Sequence, residues 1–185
     1  PPYFACTING DAAVCEGDTS TLTVTVSQLP AGIVLNAADF DIQWTGPTGA
    51  AFSGVSISGV LPGGLYTVVV TDTAACSTTC TFELTVHPNP QLTATGGIIP
   101  CLDKKLTLSV TADLPDVTFS WTGPDGFTAT GANPVVTVPG NYIVTGTQTI
   151  TGCTGIDTVL VEKEAPPVCD DGILCNGFEF FNEET

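Results

Sequence analysis

The hexapeptide Trp44-Thr45-Gly46-Pro47-Thr48-Gly49 returns as Trp121-Thr122-Gly123-Pro124-Asp125-Gly126. Each copy closes an alternating run, Phe40-Asp41-Ile42-Gln43-Trp44 in one case and Val117-Thr118-Phe119-Ser120-Trp121 in the other. A period of two is the signature of a strand, so each Trp is read as a strand residue and each Gly-Pro as the turn after it. A Gly-x-Tyr follows each Trp, Gly64 with Tyr66 and Gly140 with Tyr142. The Trp-to-Tyr spacing is 22 residues in one copy and 21 in the other. Cys15 and Cys101 precede the two Trp residues, and Cys76 and Cys153 follow the two Tyr residues. The chain is an internal repeat, and the repeat sets the organisation.

Working outward, the 185 residues divide into modules at 1–88 and 89–165, with a tail at 166–185 that has no counterpart in the first module. His87-Pro88-Asn89-Pro90 reads as a short stiff linker. There is no Met, Val, Thr and Ile abound, and 20 Gly with 14 Pro supply turns, which together point to an all-β chain. Strands are expected at Tyr3–Ile8, Thr21–Ser27, Phe40–Trp44, Gly54–Val60, Leu65–Thr71 and Cys80–His87. The second set is Leu92–Thr95, Leu106–Thr111, Val117–Trp121, Val135–Val138, Tyr142–Thr147 and Thr158–Glu162. Leu65–Thr71 is the most hydrophobic run of the first module and is expected at the centre of a sheet. Residues 29–39 form a loop that the second module mostly lacks. Each module is therefore an antiparallel β-sandwich, with Trp44 and Trp121 as equivalent core residues.

Three Lys, no Arg and 19 acids give a net charge of -16. Nucleic acid is excluded as a partner, because phosphate binding needs clustered cations. An anionic membrane surface is excluded for the same reason, and no apolar run is long enough to span a bilayer. No signal peptide opens the chain, and the start at Pro1-Pro2 reads as a mature or excised piece of something secreted.

Eight Cys without a zinc-type pair point to disulfides and an oxidising compartment. Cys6 and Cys80 occur only in the first module, where Leu92 and Asp157 hold the corresponding places in the second. Residues present together pair together, which predicts Cys6–Cys80. Cys169 and Cys175 are placed to close a small loop. For Cys15, Cys76, Cys101 and Cys153 two schemes stand open. In one they pair within modules. In the other Cys15 meets Cys153, and Cys76 and Cys101 face neighbouring subunits. A reactive free Cys is not expected, since no basic residue lies nearby in sequence to lower a thiol pKa.

The chain is read as not an enzyme. The single His87 sits at a strand end before Pro88, and no Gly-x-Ser-x-Gly elbow or phosphate-cradling loop occurs. No catalytic residue is assigned. Asp170, Asp171, Asn176 and Glu179 offer hard oxygen ligands around Gly172, which suits calcium, although the spacing is not that of an EF-hand. No other cofactor is implied. Trp44 and Trp121 could alternatively serve as sugar platforms. No Asn-x-Ser/Thr sequon exists, so any glycan would sit on Thr or Ser.

The order of these features, a Cys before an alternating strand, a Trp strand end with a Gly-rich turn, a Gly-x-Tyr and a later Cys, resembles the PKD-like and immunoglobulin-like tandem repeats of secreted Bacteroidetes surface proteins, including gliding adhesins. The resemblance covers residues 1–165. It implies two tandem immunoglobulin-like or PKD-like antiparallel sandwiches, here followed by an extended C-terminal tail, in an extracellular or cell-surface protein. The tail, Cys169-Asp170-Asp171-Gly172 through Asn176-Gly177-Phe178-Glu179, resembles a short motif of large secreted bacterial proteins. That motif often carries further Cys after the Glu, where this chain has Phe180, Phe181 and Asn182.

Three functions are consistent with this reading. The first is a structural subunit of an extracellular fibre or adhesin, whose partners are copies of itself joined head to tail. The second is a spacer or carbohydrate-binding module of a secreted enzyme, with surface glycans as partners. The third is a calcium-dependent adhesion domain, which would melt differently with chelator. The first is favoured by the tail, where Ile173, Leu174, Phe178, Phe180 and Phe181 carry too much apolar surface to leave in water. A tail of this kind is expected to dock on the next subunit, adding a strand or filling a groove near its first module.

Overall fold

The computed structural model describes residues 3–29 and 34–165. The tail calcium ligands Asp170, Asp171, Asn176 and Glu179, the assembly residues Ile173, Leu174, Phe178, Phe180 and Phe181, and Cys169 and Cys175 lie outside the described residues. The chain divides into two compact units, Pro1–Pro88 and Asn89–Thr185.

Among the described residues the first unit has nine strands, β1 (Phe4–Asn9), β2 (Ala13–Cys15), β3 (Ser20–Gln28), β4 (Val34–Leu35), β5 (Asp41–Thr45), β6 (Ala51–Ser53), β7 (Ser56–Gly59), β8 (Gly64–Thr71) and β9 (Ser77–His87). In one sheet β3 pairs with β1 along one edge and with β4 and β7 along the other. The second sheet runs β2-β9-β8-β5-β6. All pairs are antiparallel except β2, which lies parallel to β9. The alternation read in the sequence fills the space between the sheets. Leu22, Val24 and Val26 of β3 face Ile42, Trp44, Tyr66, Val68 and Val70 in one core. Burying each such side chain contributes about 1.5–3 kcal/mol.

The second unit repeats the order with β10 (Leu92–Thr95), β11 (Gly97–Ile99), β12 (Leu106–Thr107), β13 (Ser109–Ala112), β14 (Val117–Thr122), β15 (Thr128–Thr130), β16 (Val135–Val136), β17 (Gly140–Gln148) and β18 (Thr154–Lys163). Its larger sheet is β11-β18-β17-β14-β15, again with the short β11 parallel to β18. β10 pairs with β13, and β12 with β16. Leu108, Val110, Trp121, Val136, Tyr142 and Val144 form its core.

The repeated motif is a packing unit. Each indole N–H donates to a backbone carbonyl ten residues on, Trp44 Nε1 to Gly54 O and Trp121 Nε1 to Gly131 O, both at 2.9 Å. Each Tyr hydroxyl donates four residues back, Tyr66 to Pro62 O at 2.8 Å and Tyr142 to Val138 O at 2.7 Å. That bond is the corner tie of immunoglobulin-type sandwiches. Burial pushes both phenols above their ordinary value. The Gly of Gly-x-Tyr is obligatory: Gly64 has φ +130° and Gly140 φ +140°, a region L side chains rarely adopt. A Cβ there would also press into Pro47 or Pro124, the Pro of the hexapeptide, at 2.6 Å. The Gly-Pro turn and the Gly-x-Tyr strand start thus interlock, which accounts for their joint appearance in both copies.

Several expected boundaries shift for local reasons. The strand expected at Val135–Val138 is only Val135–Val136, because Pro134 and Pro139 flank it and neither has an N–H to donate. The one expected at Leu106–Thr111 is broken at Leu108, whose N–H goes to Pro134 O. Gly54–Val60 shortens to β7, and the preceding residues form a separate strand, β6. Part of the 29–39 loop is strand, since Val34 and Leu35 pair with Ser27 and Val26.

A disulfide joins Cys6 of β1 to Cys80 of β9, with Cα atoms 6.0 Å apart, and so ties one sheet to the other. The second unit ties the same two strands differently. An Asp157 oxygen on β18 accepts the Ala94 N–H of β10 at 2.7 Å. Asp157→Ala should leave that amide without its partner and lower the stability of the second unit by about 1–3 kcal/mol, the cost of an unsatisfied donor. Denaturant unfolding monitored by Trp fluorescence would measure it.

The remaining cysteines correct one expectation. Cys76 is exposed and unbridged within its own chain, where one of the two open schemes set it facing a neighbouring subunit. Cys15, Cys101 and Cys153 are disulfide-bonded. Pairing within modules fails on distance. Cys15 lies opposite His87 at one end of β9 and Cys76 precedes its other end, with the eleven residues of β9 between. At about 3.3 Å per residue that is over 30 Å, against a Cα limit of about 7 Å. Cys101 and Cys153 stand at opposite ends of β18 in the same way.

Candidate functional site

Trp44 and Trp121 are each 1% exposed. A sugar platform must lie open to solvent, so that alternative reading of the two indoles does not hold. The outward faces of the larger sheets carry hydroxyls instead. Thr45, Thr67 and Thr81 stand in register across β5, β8 and β9. Thr118, Thr147 and Thr154 do so across β14, β17 and β18. A recess of about 720 Å³ beside β14 and β15 is lined by Val117, Thr118, Phe119, Ser120, Thr130 and Thr147, with none of the acid, base or nucleophile pairs that general acid–base work requires.

His87 ends β9 in register with Cys15, and its carbonyl accepts the Glu16 N–H at 2.8 Å. Its backbone is therefore part of the strand end. Among the described residues no group of three or more His, Cys, Asp or Glu is arranged to hold a metal ion.

What each unit does present are two distinct ends. At the amino pole of the first unit lies Tyr3, whose carbonyl accepts the Leu29 N–H at 2.7 Å. Asp41 opens β5 opposite Thr71, the last residue of β8. The turn that follows is built on Asp72, whose Oδ1 accepts the N–H groups of Ala74 and Cys76, both at 2.8 Å. Interaction with the Asp72 carboxylate holds the Tyr3 phenol above its ordinary value. Phe4 and Phe40 stack beneath, ring centroids 5.0 Å apart. Asp39, Asp41 and Cys76 are exposed around this group. In the equivalent turn of the second unit Gln148 replaces Asp72, its Oε1 accepting the Ile150 and Thr151 N–H groups.

The carboxy pole of the second unit is formed by the end of β18 and the turn after β11. Ile99 pairs with Lys163, and the Glu164 N–H returns to Ile99 O at 3.1 Å. Cys101 donates its N–H to Glu164 Oε2 at 2.9 Å, and Lys104 donates to Pro100 O at 2.9 Å to close the turn. Lys104, Lys105 and Lys163 are exposed there. These lysines were not singled out by sequence reasoning. Two lie in a turn and one at a strand end, and only the parallel pairing of β11 with β18 brings them to one pole.

Residues 4–87, the strands of the first unit, match the family described as "Putative Ig domain". No curated protein matches the chain. Among solved structures it is similar to the three N-terminal domains of the bacteriophage RB49 Hoc protein, at 16% identity and a TM-score of 0.43, covering 86% of this chain and 58% of that one. It is similar to the insect immune protein hemolin, at 15% identity and a TM-score of 0.46, covering 85% and 46%. It is also similar to a 1.5-MDa bacterial ice-binding adhesin, at 16% identity and a TM-score of 0.40, covering 86% and 66%. None of the three reaches a TM-score of 0.5, so the fold assignment rests on the strand order and the family match. By that order the chain is two tandem immunoglobulin-like β-sandwiches, a fold that is typically non-catalytic.

Proposed function

We propose that this chain is a non-catalytic structural subunit, or repeat unit, of an extracellular bacterial fibre or adhesin, and that copies join head to tail. The observation that carries the reading is where the last strand ends. β18 finishes at Lys163, at the pole of the second unit opposite Pro90 and Cys153, and the sequence from there runs on into the apolar segment Ile173 to Phe181. That end point supports a reading in which the following segment reaches another copy, since sandwiches offer open edges to receive a strand. Such a contact is heterologous and need not close, so it propagates. The Cys6–Cys80 bond supports an oxidising, extracellular setting. The hydroxyl-rich outer faces suit a solvent-exposed spacer.

Negative-stain electron microscopy and sedimentation of the purified chain test this. Filaments or open-ended oligomers are expected, and deletion of residues 168–185 should abolish them. A full chain that stays monomeric at high concentration would sink the fibre reading. Equal assembly by the shortened chain would show that the tail is not the connector.

A further inference from the structure

Charge is divided unevenly along this chain. Residues 1–88 contain no Lys or Arg at all, and all three lysines belong to the second unit. The fold then gathers Lys104, Lys105 and Lys163 at the carboxy pole, around the turn Cys101-Leu102-Asp103-Lys104-Lys105. The turn in the same place in the first unit, Cys15-Glu16-Gly17-Asp18-Thr19, has two acids and no cation. Lys104 is held at φ +55°, a left-handed conformation that keeps the turn tight. At its tip Leu102 is 71% exposed. Four carboxylates share this pole, Asp103, Asp125, Glu162 and Glu164, and that of Glu164 is engaged by the Cys101 N–H. The pole is thus close to neutral in a chain of net charge -16.

The amino pole of the first unit has the opposite character. Asp39, Asp41 and Asp72 surround it with no cation. Between them lie apolar groups open to water, Tyr3 at 51%, Leu29 at 46% and Val34 at 68% exposure.

We propose that the carboxy pole of the second unit docks on the amino pole of the first unit of another copy, seating Leu102 among Tyr3, Leu29 and Val34 and setting Lys104, Lys105 and Lys163 against Asp39, Asp41 and Asp72. The inference rests on the head-to-tail reading and names its contact surfaces. The electrostatic reasoning is one of elimination. For a strongly anionic chain almost every mutual approach sets carboxylate against carboxylate. The lysine pole is the one surface among the described residues that brings several cations, and the first unit's amino pole supplies both their counter-charges and an apolar seat. Such complementarity fixes orientation more than it adds affinity.

The test uses the full chain and measures the concentration at half-assembly by sedimentation. Lys104→Glu with Lys105→Glu should raise it on the order of tenfold or more, since like charges would then face each other. Adding Asp39→Lys and Asp41→Lys to that variant should restore assembly. Raising salt to about 1 M, where the screening length is near 3 Å, should shrink the difference between the variants. Cys76 provides a geometric readout. In a Lys105→Cys variant a short bismaleimide should link residue 105 of one copy to Cys76 of the next and give a ladder of multimers. Cys76→Ser should abolish that ladder. Unchanged assembly by the charge-reversed chain, or assembled material that yields no ladder, overturns the proposed surfaces while head-to-tail assembly stands. A wild-type chain that never self-associates removes both.

Discussion

Trp121→Ala is expected to lower the stability of the second unit by about 3–5 kcal/mol, the range for removing a large buried aromatic. Trp121 is 1% exposed and packs at the centre of its core with Tyr142, Val144 and Val136. Two losses combine. The cavity left behind cannot collapse freely, because β14 is pinned on both sides, by β15 and by β17. The indole donor to Gly131 O disappears as well, so a carbonyl placed to accept it goes unpaired. Trp121→Phe keeps most of the volume and loses the donor, so it should fall between the two. Since folded domains hold only about 5–15 kcal/mol, the Ala variant should unfold well below the wild-type temperature. Calorimetry would show a second-unit transition moved down and a first-unit transition in place. A variant that melts like wild type would mean that Trp121 is not core.

Cys6→Ser with Cys80→Ser is expected to cost the first unit about 2–5 kcal/mol. The bond closes a loop with a sequence separation of 74 residues. In the chain-entropy account, a longer loop means more freedom restored to the unfolded chain once the bond is gone. The equivalent strands of the second unit are tied by a hydrogen bond to Asp157, which the double substitution leaves untouched. Urea titration of the double variant against wild type, with and without reductant, measures the difference. Reductant should cost the first unit at least as much as the double substitution, since it also opens the bond of Cys15.

Much of this architecture could be read before any coordinates. The long strands β3, β8, β14 and β17 alternate over eight or nine residues or carry the repeated Trp, and their period shows which side faces inward. The short parallel strands β2 and β11 were invisible, because three residues contain no period to detect. They exist because a neighbouring strand, β9 or β18, offers an open edge. Those same strands hold Cys15 and the Cys101 turn at the far end from Cys76 and Cys153, which decides against pairing within modules. Cys76 and Cys153 hold equivalent places in the repeat, yet only Cys153 is bridged within the chain, since equivalent positions share a backbone and not a partner. The lysine pole was hidden for a related reason, since residues 104 and 163 are distant in sequence and meet only through β11 and β18.

Tension gives the Cys6–Cys80 bond a further meaning. Were the chain pulled at its two ends, force would reach the first unit near Phe4 and leave it after His87. Cys6 lies two residues inside the first strand and Cys80 sits on the last one. The covalent bond carries the load directly from one to the other, and the intervening chain is bypassed. At about 3.3–3.6 Å per residue, a loop of 74 residues stores roughly 250 Å of contour length that cannot be drawn out while the bond is intact. In the second unit Asp157 stands where Cys80 does in the first, and a hydrogen bond to the Ala94 N–H ties β10 to β18. Within the first unit, the redox state of this cystine decides whether the loop between β1 and β9 can be drawn out.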